Sequence, residues 1–235
     1  MAILWQKRVD NTLYEVRSAG KTRRLYTNGV LHSQYNPSQV ITGSVWDLLL
    51  LPALCVPEEN IKRVLVLGVG GGTVLHQLSS LLSPDIMIGI ELSEEHVFVA
   101  EQYFSLTQPH IVLHRADAVS WLKAYQGAAF DLIIDDLYGH DGGEPVRAVP
   151  LSEGWVNTLL SNLSDDGVLV TNTVSPEELS TSSLVAGGKM EENFTSAFRF
   201  ATPLCHNAVG AFFKQEVTMN CLRRRIVATP ILEKS

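Results

Sequence analysis

The chain has little with which to grip nucleic acid, cross a bilayer or hold a structural metal. Its 235 residues carry 18 Lys and Arg against 25 Asp and Glu, a formal charge of −7. Phosphate binding needs a basic surplus, so nucleic acid is excluded as the main partner. The single basic run, Arg223-Arg224-Arg225, reads as part of a strand and fits a solvated sheet face. Three cysteines, Cys55, Cys205 and Cys221, contain no Cys-x-x-Cys pair, which excludes a disulfide framework and a zinc ribbon. The most apolar stretch, Leu48 to Val56, is cut by Pro52 and falls short of the roughly 20 residues that span a membrane. No signal-peptide pattern opens the chain. His110 and His114 flank Ile111-Val-Leu113, an apparent strand that separates them by about 13 Å, and no metal is expected. Neither a Gly-x-Ser-x-Gly elbow nor a Cys/His nucleophile pair is present. A cytoplasmic protein with reduced thiols and no membrane partner is the expectation.

What is present is a globular composition, 46% hydrophobic and 18% charged, well away from disorder. Residues 13 to 35 read as short extended pieces, with Asn28-Gly29 as a hairpin turn. Pro37 and Ser38 open an expected helix through Leu54, closed by Pro57. Beyond residue 62, apolar runs alternate with helical stripes: Val64–Leu67, Ile86–Ile90, Ile111–Leu113, Leu132–Ile134 and Val168–Val170. Val74, Leu75, Leu78, Leu81 and Leu82 share one helical face, as do Trp155, Val156, Leu159, Leu160 and Leu163. Ser175-Pro176-Glu177-Glu178 is a helix start. Continuous apolar strands between helices predict an α/β, doubly wound, mostly parallel Rossmann-like sheet covered on both faces. A small N-terminal antiparallel β appendage over residues 1–37 precedes it, and the nucleoside-binding domain is expected over 38–235.

The strongest functional signal is Gly68-Val69-Gly70-Gly71-Gly72, between the first parallel strand and the first helical stripe. Glycines there allow a sharp turn and close approach of a ligand, and the helix N-terminus adds partial positive charge. Thr73 stands where a dinucleotide fingerprint would place its third glycine, and no Gly-Lys-Ser/Thr ending makes a P-loop. Acids then follow successive strands: Glu91, Asp117, and the pair Asp135-Asp136. Glu91 lies 23 residues beyond Gly68, where a carboxylate can accept ribose hydroxyls. Acids at the carboxyl ends of consecutive strands after a glycine loop point to a nucleoside pocket.

Arg63-Val-Leu-Val-Leu-Gly-Val-Gly-Gly-Gly-Thr-Val-Leu75, Ile90-Glu91-Leu92, Ala116-Asp117-Ala118, Phe130-Asp-Leu-Ile-Ile134 and Asp166-Gly-Val-Leu-Val170 together resemble the spermidine synthase family. That resemblance implies the class I methyltransferase fold and covers about residues 13 to 172. It implies that Gly68, Gly70 and Gly72 wrap the methionine part of S-adenosylmethionine or its decarboxylated form. Glu91 would take the ribose hydroxyls, Asp117 and Ala118 would flank the adenine, Leu92 would be a further cofactor-binding residue, and Asp136 would sit beside the sulfonium. A homodimer and a small-molecule acceptor are implied as well. The chain departs from aminopropyltransferases at three places. Gly71 replaces their loop aspartate, Gly139 their second catalytic aspartate, and Val45-Trp46-Asp47 their Tyr-His-Glu segment.

An ammonium acceptor must lose a proton before it attacks, and a polycation needs several carboxylates. The missing acids therefore favour methyl transfer from S-adenosylmethionine to an unidentified small acceptor. Aminopropyl transfer in polyamine biosynthesis is the alternative, and a non-catalytic nucleoside-binding protein is the third. Asp136, Tyr138, His140 and Asp141 are the catalytic candidates. The last three fall in Leu137-Tyr-Gly-His-Asp-Gly-Gly143, expected as a loop whose glycines permit a flap.

Overall fold

A computed structural model describes residues 1–141, 144–203 and 205–229, with the side chains of His140, Asp141 and Glu144 outside that description. Four antiparallel strands open the chain: β1 (Ala2–Val9), β2 (Thr12–Ala19), β3 (Thr22–Thr27) and β4 (Val30–Tyr35). The expected Asn28-Gly29 turn joins β3 to β4, both residues at positive φ (49° and 84°). Sequence periodicity had missed β1, whose side chains are mostly exposed and show no apolar alternation. Val16 and Leu25 of this sheet pack with Val99 and Phe104 of the main body.

The helix expected from residue 38 starts later. Residues 36–44 are irregular, α1 spans Val45–Leu50, and a 3-10 turn continues over Leu51–Cys55. The physical reason is Asp47. Its carboxylate accepts from the amides of Thr42, Gly43 and Ser44 and from Gln77 Nε2 (2.6 Å), tying the preceding loop into a cap. Pro52 enters the 3-10 turn near its start, where a missing N–H costs nothing. Trp46, Leu48 to Leu50 and Ala53 to Cys55 are buried within the chain.

The second sheet has seven strands: β5 (Arg63–Leu67), β6 (Ile86–Glu91), β7 (Ile111–Arg115), β8 (Phe130–Asp135), β11 (Leu163–Thr173), β12 (Ser196–Phe200) and β13 (Ala208–Phe213). Their order is β12-β13-β11-β8-β5-β6-β7. Pairings among β7, β6, β5, β8 and β11 are parallel, and β13 runs antiparallel to both neighbours. The helices α2 (Thr73–Leu81), α3 (Glu94–Gln102), α4 (Ala118–Ala124), α5 (Glu153–Ser161), α6 (Pro176–Thr181), α7 (Lys189–Asn193) and α8 (Met219–Ala228) complete the body. One apolar layer joins α1, α2 and α8 to Val64, Val66, Leu132 and Val170. The other joins α4 and α5 to Leu65, Leu67, Ile133 and Leu169. Alternate residues of each strand thus face opposite layers, which is why the strands read as continuous apolar runs.

Two further expectations change. The arginine run belongs to α8 rather than a strand: Leu222 and Ile226, four apart, pack inward while Arg225 pairs with Glu58 at 2.6 Å. The stretch after β8 is a hairpin rather than an open loop, with β9 (Tyr138–Asp141) paired to β10 (Glu144–Arg147). Gly142 and Gly143, singled out for a flap, lie outside the described residues. Among the described residues, no helix is long and apolar enough to cross a membrane.

Arg147 anchors this hairpin. Its guanidinium donates to Asp135 (2.7 Å), to the Val149 carbonyl and to the Asn172 carbonyl, and Trp155 Nε1 adds a bond to Asp135 (3.0 Å). Both charged side chains are almost wholly buried. Removing one partner of such a pair strands a charge in the interior and costs about 3–5 kcal/mol. Arg147→Met should therefore destabilise the protein by that amount in urea unfolding, whereas the combined Arg147→Met and Asp135→Leu replacement should recover a large part of the loss.

Candidate functional site

The parallel sheet switches direction between β5 and β8: the chain runs outward through β6 and β7 on one side, then through β8 and β11 on the other. Ligands bind at such a point, outside the carboxyl ends of the strands. A cavity of about 630 Å³ lies there, roofed by the N-terminal sheet and the β9–β10 hairpin. Gly68, Gly70, Glu91, Leu92, Asp117, Ala118, Asp136 and Tyr138, all named from sequence, line it. Gly72 does not appear in its wall and acts instead as the left-handed N-cap of α2, at φ 88°. His140 and Asp141 lie on β9, with side chains outside the described residues.

The glycine loop is tightly built. At Gly68 (φ 83°) an added Cβ would run into the Asp136 carbonyl, so only glycine lets β5 pass that close to the end of β8. Gly71 is closed for a different reason: a Cβ there would lie 2.6 Å from Phe104 Cε2 and 3.0 Å from Ser33 Cβ. Phe104 is fully buried, so the space that an aspartate needs at this position is already filled. Gly139 contrasts with it. Among the described residues a Cβ there would meet only Ala148 Cβ, at 3.8 Å, and nothing steric among them explains the missing acid.

Glu91 is more heavily engaged than its sequence position suggests. Oε2 accepts from the amides of Val69 (3.1 Å) and Gly70 (2.8 Å), and Oε1 from Ser93 (2.8 Å). Burial pushes its carboxyl pKa up, but His96 and these amides outweigh burial and hold it below the usual value. A carboxylate offers about four acceptor positions, so three are spent and Glu91 has one left rather than two for a ribose. Asp117 is the N-cap of α4. Its Oδ2 accepts from the Ser120 amide at 2.8 Å, and bonding to Ser120 holds its pKa down. Leu92, 69% exposed, presents a bare apolar surface on the same wall.

Asp136 sits at the bottom of the cavity in a chain of amides. Asn172 Nδ2 donates to Asp136 Oδ1 (2.8 Å), Asn207 Nδ2 donates to Asn172 Oδ1 (3.0 Å), and Asn207 approaches the Tyr138 hydroxyl at 3.4 Å. Burial raises the Asp136 pKa to about 6, against the opposing pull of Asn172 and the Arg147 charge. Burial, reinforced by Asp136, also raises the Tyr138 phenol pKa, and keeps it protonated. Such a carboxyl can exchange a proton near neutrality.

Several lining residues escaped sequence reasoning: Asn172, Asn207, Trp46, His32, His96, Thr27 and Tyr14. Asn172 lies at the carboxyl end of β11 as the acids lie at or just past the ends of their strands, and a rule extended from carboxylates to amides finds it. The others arrive from the N-terminal sheet, α1, α3 and the approach to β13, and no local pattern marks them. Asp47, aligned with the relatives' acidic segment, is consumed by its cap. No group of three or more potential metal ligands occurs among the described residues.

A model of the methyltransferase domain matches residues 58–218. The chain belongs to the methyltransferase-domain family. Within that family it is similar to spermidine synthases and polyamine aminopropyltransferases. It is 30% identical over 121 residues to a polyamine aminopropyltransferase of Vibrio vulnificus, covering 50% of this chain and 40% of that one. It is 35% identical over 91 residues to a spermidine synthase of Coffea arabica, covering 37% of this chain and 28% of that one. The matched stretch thus spans less than half the length of either relative. In three dimensions a probable spermidine synthase from Corynebacterium glutamicum superposes with TM-score 0.75 at 15% identity, covering 98% of this chain and 89% of that one. This likeness establishes the shared fold.

Two outcomes follow from the geometry. Above pH 6 the folded state holds a half-buried Asp136 carboxylate that an unfolded chain ionises at about 3.9. The folded pKa is raised, so this cost is absent below pH 4 and complete above pH 6. Asp136→Asn keeps the acceptor for Asn172 and should gain up to about 3 kcal/mol at pH 8 but nothing at pH 4, by urea unfolding. Gly71→Asp should lose about 1–3 kcal/mol through overpacking against Phe104, read in the same assay.

Proposed function

We propose that the cavity holds an adenosyl sulfonium donor and that the chain transfers a carbon group from its sulfur to a small nucleophile. The observation that carries this reading is one continuous cavity joining a glycine loop, the Glu91 carboxylate and a half-buried acid with a pKa of about 6. The residues fit the group: Glu91 keeps an acceptor and Leu92 offers an exposed apolar wall, while the missing Cβ at Gly68 and Gly70 lets the loop close onto Asp136 and Ser33 and aim its amides at Glu91. When bound, the donor supplies an electrophilic carbon activated by positive sulfur. Glu91 takes a ribose hydroxyl, while Leu92, Asp117 and Ala118 flank the base. Asp136, once ionised, attracts the positive centre and accepts a proton from the acceptor. Asn172, Asn207 and Tyr138 hold that acid in place. Positioning and proton removal are the protein's contribution.

Between the two donors, the relatives named as polyamine aminopropyltransferases and spermidine synthases favour aminopropyl transfer from decarboxylated S-adenosylmethionine. Composition of the site alone had favoured methyl transfer. One observation still speaks for the methyl reading: Phe104 fills the place of the relatives' loop aspartate, so the donor's amine lacks that acid. A division into residues 1–37 and 38–235, a homodimer and a cytoplasmic location belong to the same reading.

The nucleoside product separates the donors. With a panel of small amines, decarboxylated S-adenosylmethionine should yield 5′-methylthioadenosine, while S-adenosylmethionine should yield no S-adenosylhomocysteine. The reverse result establishes methyl transfer. For the productive pair, kcat/KM should rise with pH through about 6 and then level, because the ionised Asp136 is required. Asp136→Asn should lower it by about 10²-fold or more and remove the inflection.

A further inference from the structure

Thr27 on β3, Glu91 at the end of β6 and His96 on α3 come from three separate elements and meet in the cavity wall. They are 4%, 8% and 8% exposed. Thr27 Oγ1 lies 2.9 Å from His96 Nε2, and His96 Nδ1 faces Glu91 Oε1 at 3.6 Å. The second separation is too long for a direct hydrogen bond.

The protonation pattern follows from the neighbours. A carboxylate only accepts, so the imidazole nitrogen facing it carries a hydrogen. In the neutral ring Nε2 is then the acceptor, and the Thr27 hydroxyl donates to it. Thr27 thereby selects the tautomer with Nδ1–H turned toward Glu91. His96 is further confined by the edge-on ring of Tyr14 at 5.6 Å and the ring of His32 at 5.1 Å.

The gap between Nδ1 and Oε1 is therefore bordered by one donor and by the last acceptor position of Glu91. A hydroxyl is both donor and acceptor, and a separation of 3.6 Å lets one oxygen hydrogen-bond to both sides. A water can bridge the same two groups, but a ribose held in the cavity brings a hydroxyl to this gap in fixed orientation.

We propose that one ribose hydroxyl bridges Glu91 Oε1 and His96 Nδ1, so that His96 is a ribose-binding residue whose tautomer Thr27 sets. The inference rests on the adenosyl reading of the cavity and adds to it a second ribose partner contributed by α3 and steered by the N-terminal sheet. The bland role for His96, a peg joining α3 to β3, needs only the Thr27 bond and predicts no dependence on ribose chemistry.

The test is calorimetric titration with 5′-methylthioadenosine, which carries the adenine, ribose and thioether common to both donors, and with its 2′-deoxy and 3′-deoxy analogues. Wild type should bind the parent about tenfold or more tightly than one of the two deoxy forms, as expected for a hydrogen bond to a charged group. In His96→Ala the parent should weaken by a similar factor and that deoxy form should not, so the ratio falls toward one. His96→Asn, whose amide occupies the place of Nδ1, should restore part of the ratio. Thr27→Val, which leaves the imidazole in place, should lower it. A folded His96→Ala protein, judged by thermal melting, that keeps the full ratio overturns the inference. Should that variant not fold, an unchanged ratio in both His96→Asn and Thr27→Val overturns it equally. A wild type that binds the parent but does not discriminate either deoxy form also overturns it and leaves the adenosyl reading standing. Failure of wild type to bind any of the three nucleosides removes the adenosyl reading and this inference with it.

Discussion

The close passage of Gly68 beneath the end of β8 is the constraint on which the site depends. Gly68 N donates to Ile90 O and Asp136 N to Leu67 O, both at 2.9 Å, so the ends of three adjacent strands are stitched together where the sheet changes direction. Asp136 and Glu91 are brought to opposite sides of one crevice by that stitching. A side chain at residue 68 would separate β5 from β8, and the acid that faces the reacting centre would move with them. The left-handed backbone at Gly68 and Gly70 then turns the loop so that its amides point at Glu91 rather than outward.

The adjacent aspartates show how one strand end separates structure from chemistry. Asp135 points into the core, where Arg147 and Trp155 both bond to its Oδ2, leaving Oδ1 unpaired, and tie down the β9–β10 hairpin. Asp136 points into the cavity, where a single amide bond leaves burial as the dominant influence on its proton. Pleating of the strand makes this division, because successive residues face opposite sides. The same guanidinium that neutralises Asp135 also offsets part of the cost of ionising Asp136. The scaffold of the hairpin and the acidity of the site are therefore linked through Arg147.

The departures from aminopropyltransferases differ in physical kind. At Gly71 the neighbouring aromatic ring has taken the space, so restoring an acid requires Phe104 to move. At Gly139 the space is open among the described residues and only the side chain is absent. Asp47 is still acidic, but its oxygens are committed to the loop ahead of α1. Sequence comparison records two of these positions as lost carboxylates and the third as a kept one. Packing distinguishes a closed position, an open one and a diverted one.

The amino-acid sequence by itself determined the doubly wound sheet, because strands buried on both faces leave apolar runs and the helices between them leave stripes. It also determined the glycine loop and the acids at strand ends, since those positions are fixed by local order along each βα unit. It misread residues 38–44, 138–141 and the Arg223 to Arg225 run, where a carboxylate cap, a hairpin tie and two inward apolar side chains outweigh local propensity. Only the tertiary structure decided that Asn172, Asn207, His96 and Thr27 share the cavity, and that three amides already occupy Glu91. Those facts depend on contacts between segments distant in the chain, and side-chain chemistry read in one dimension carries no record of which distant groups will meet.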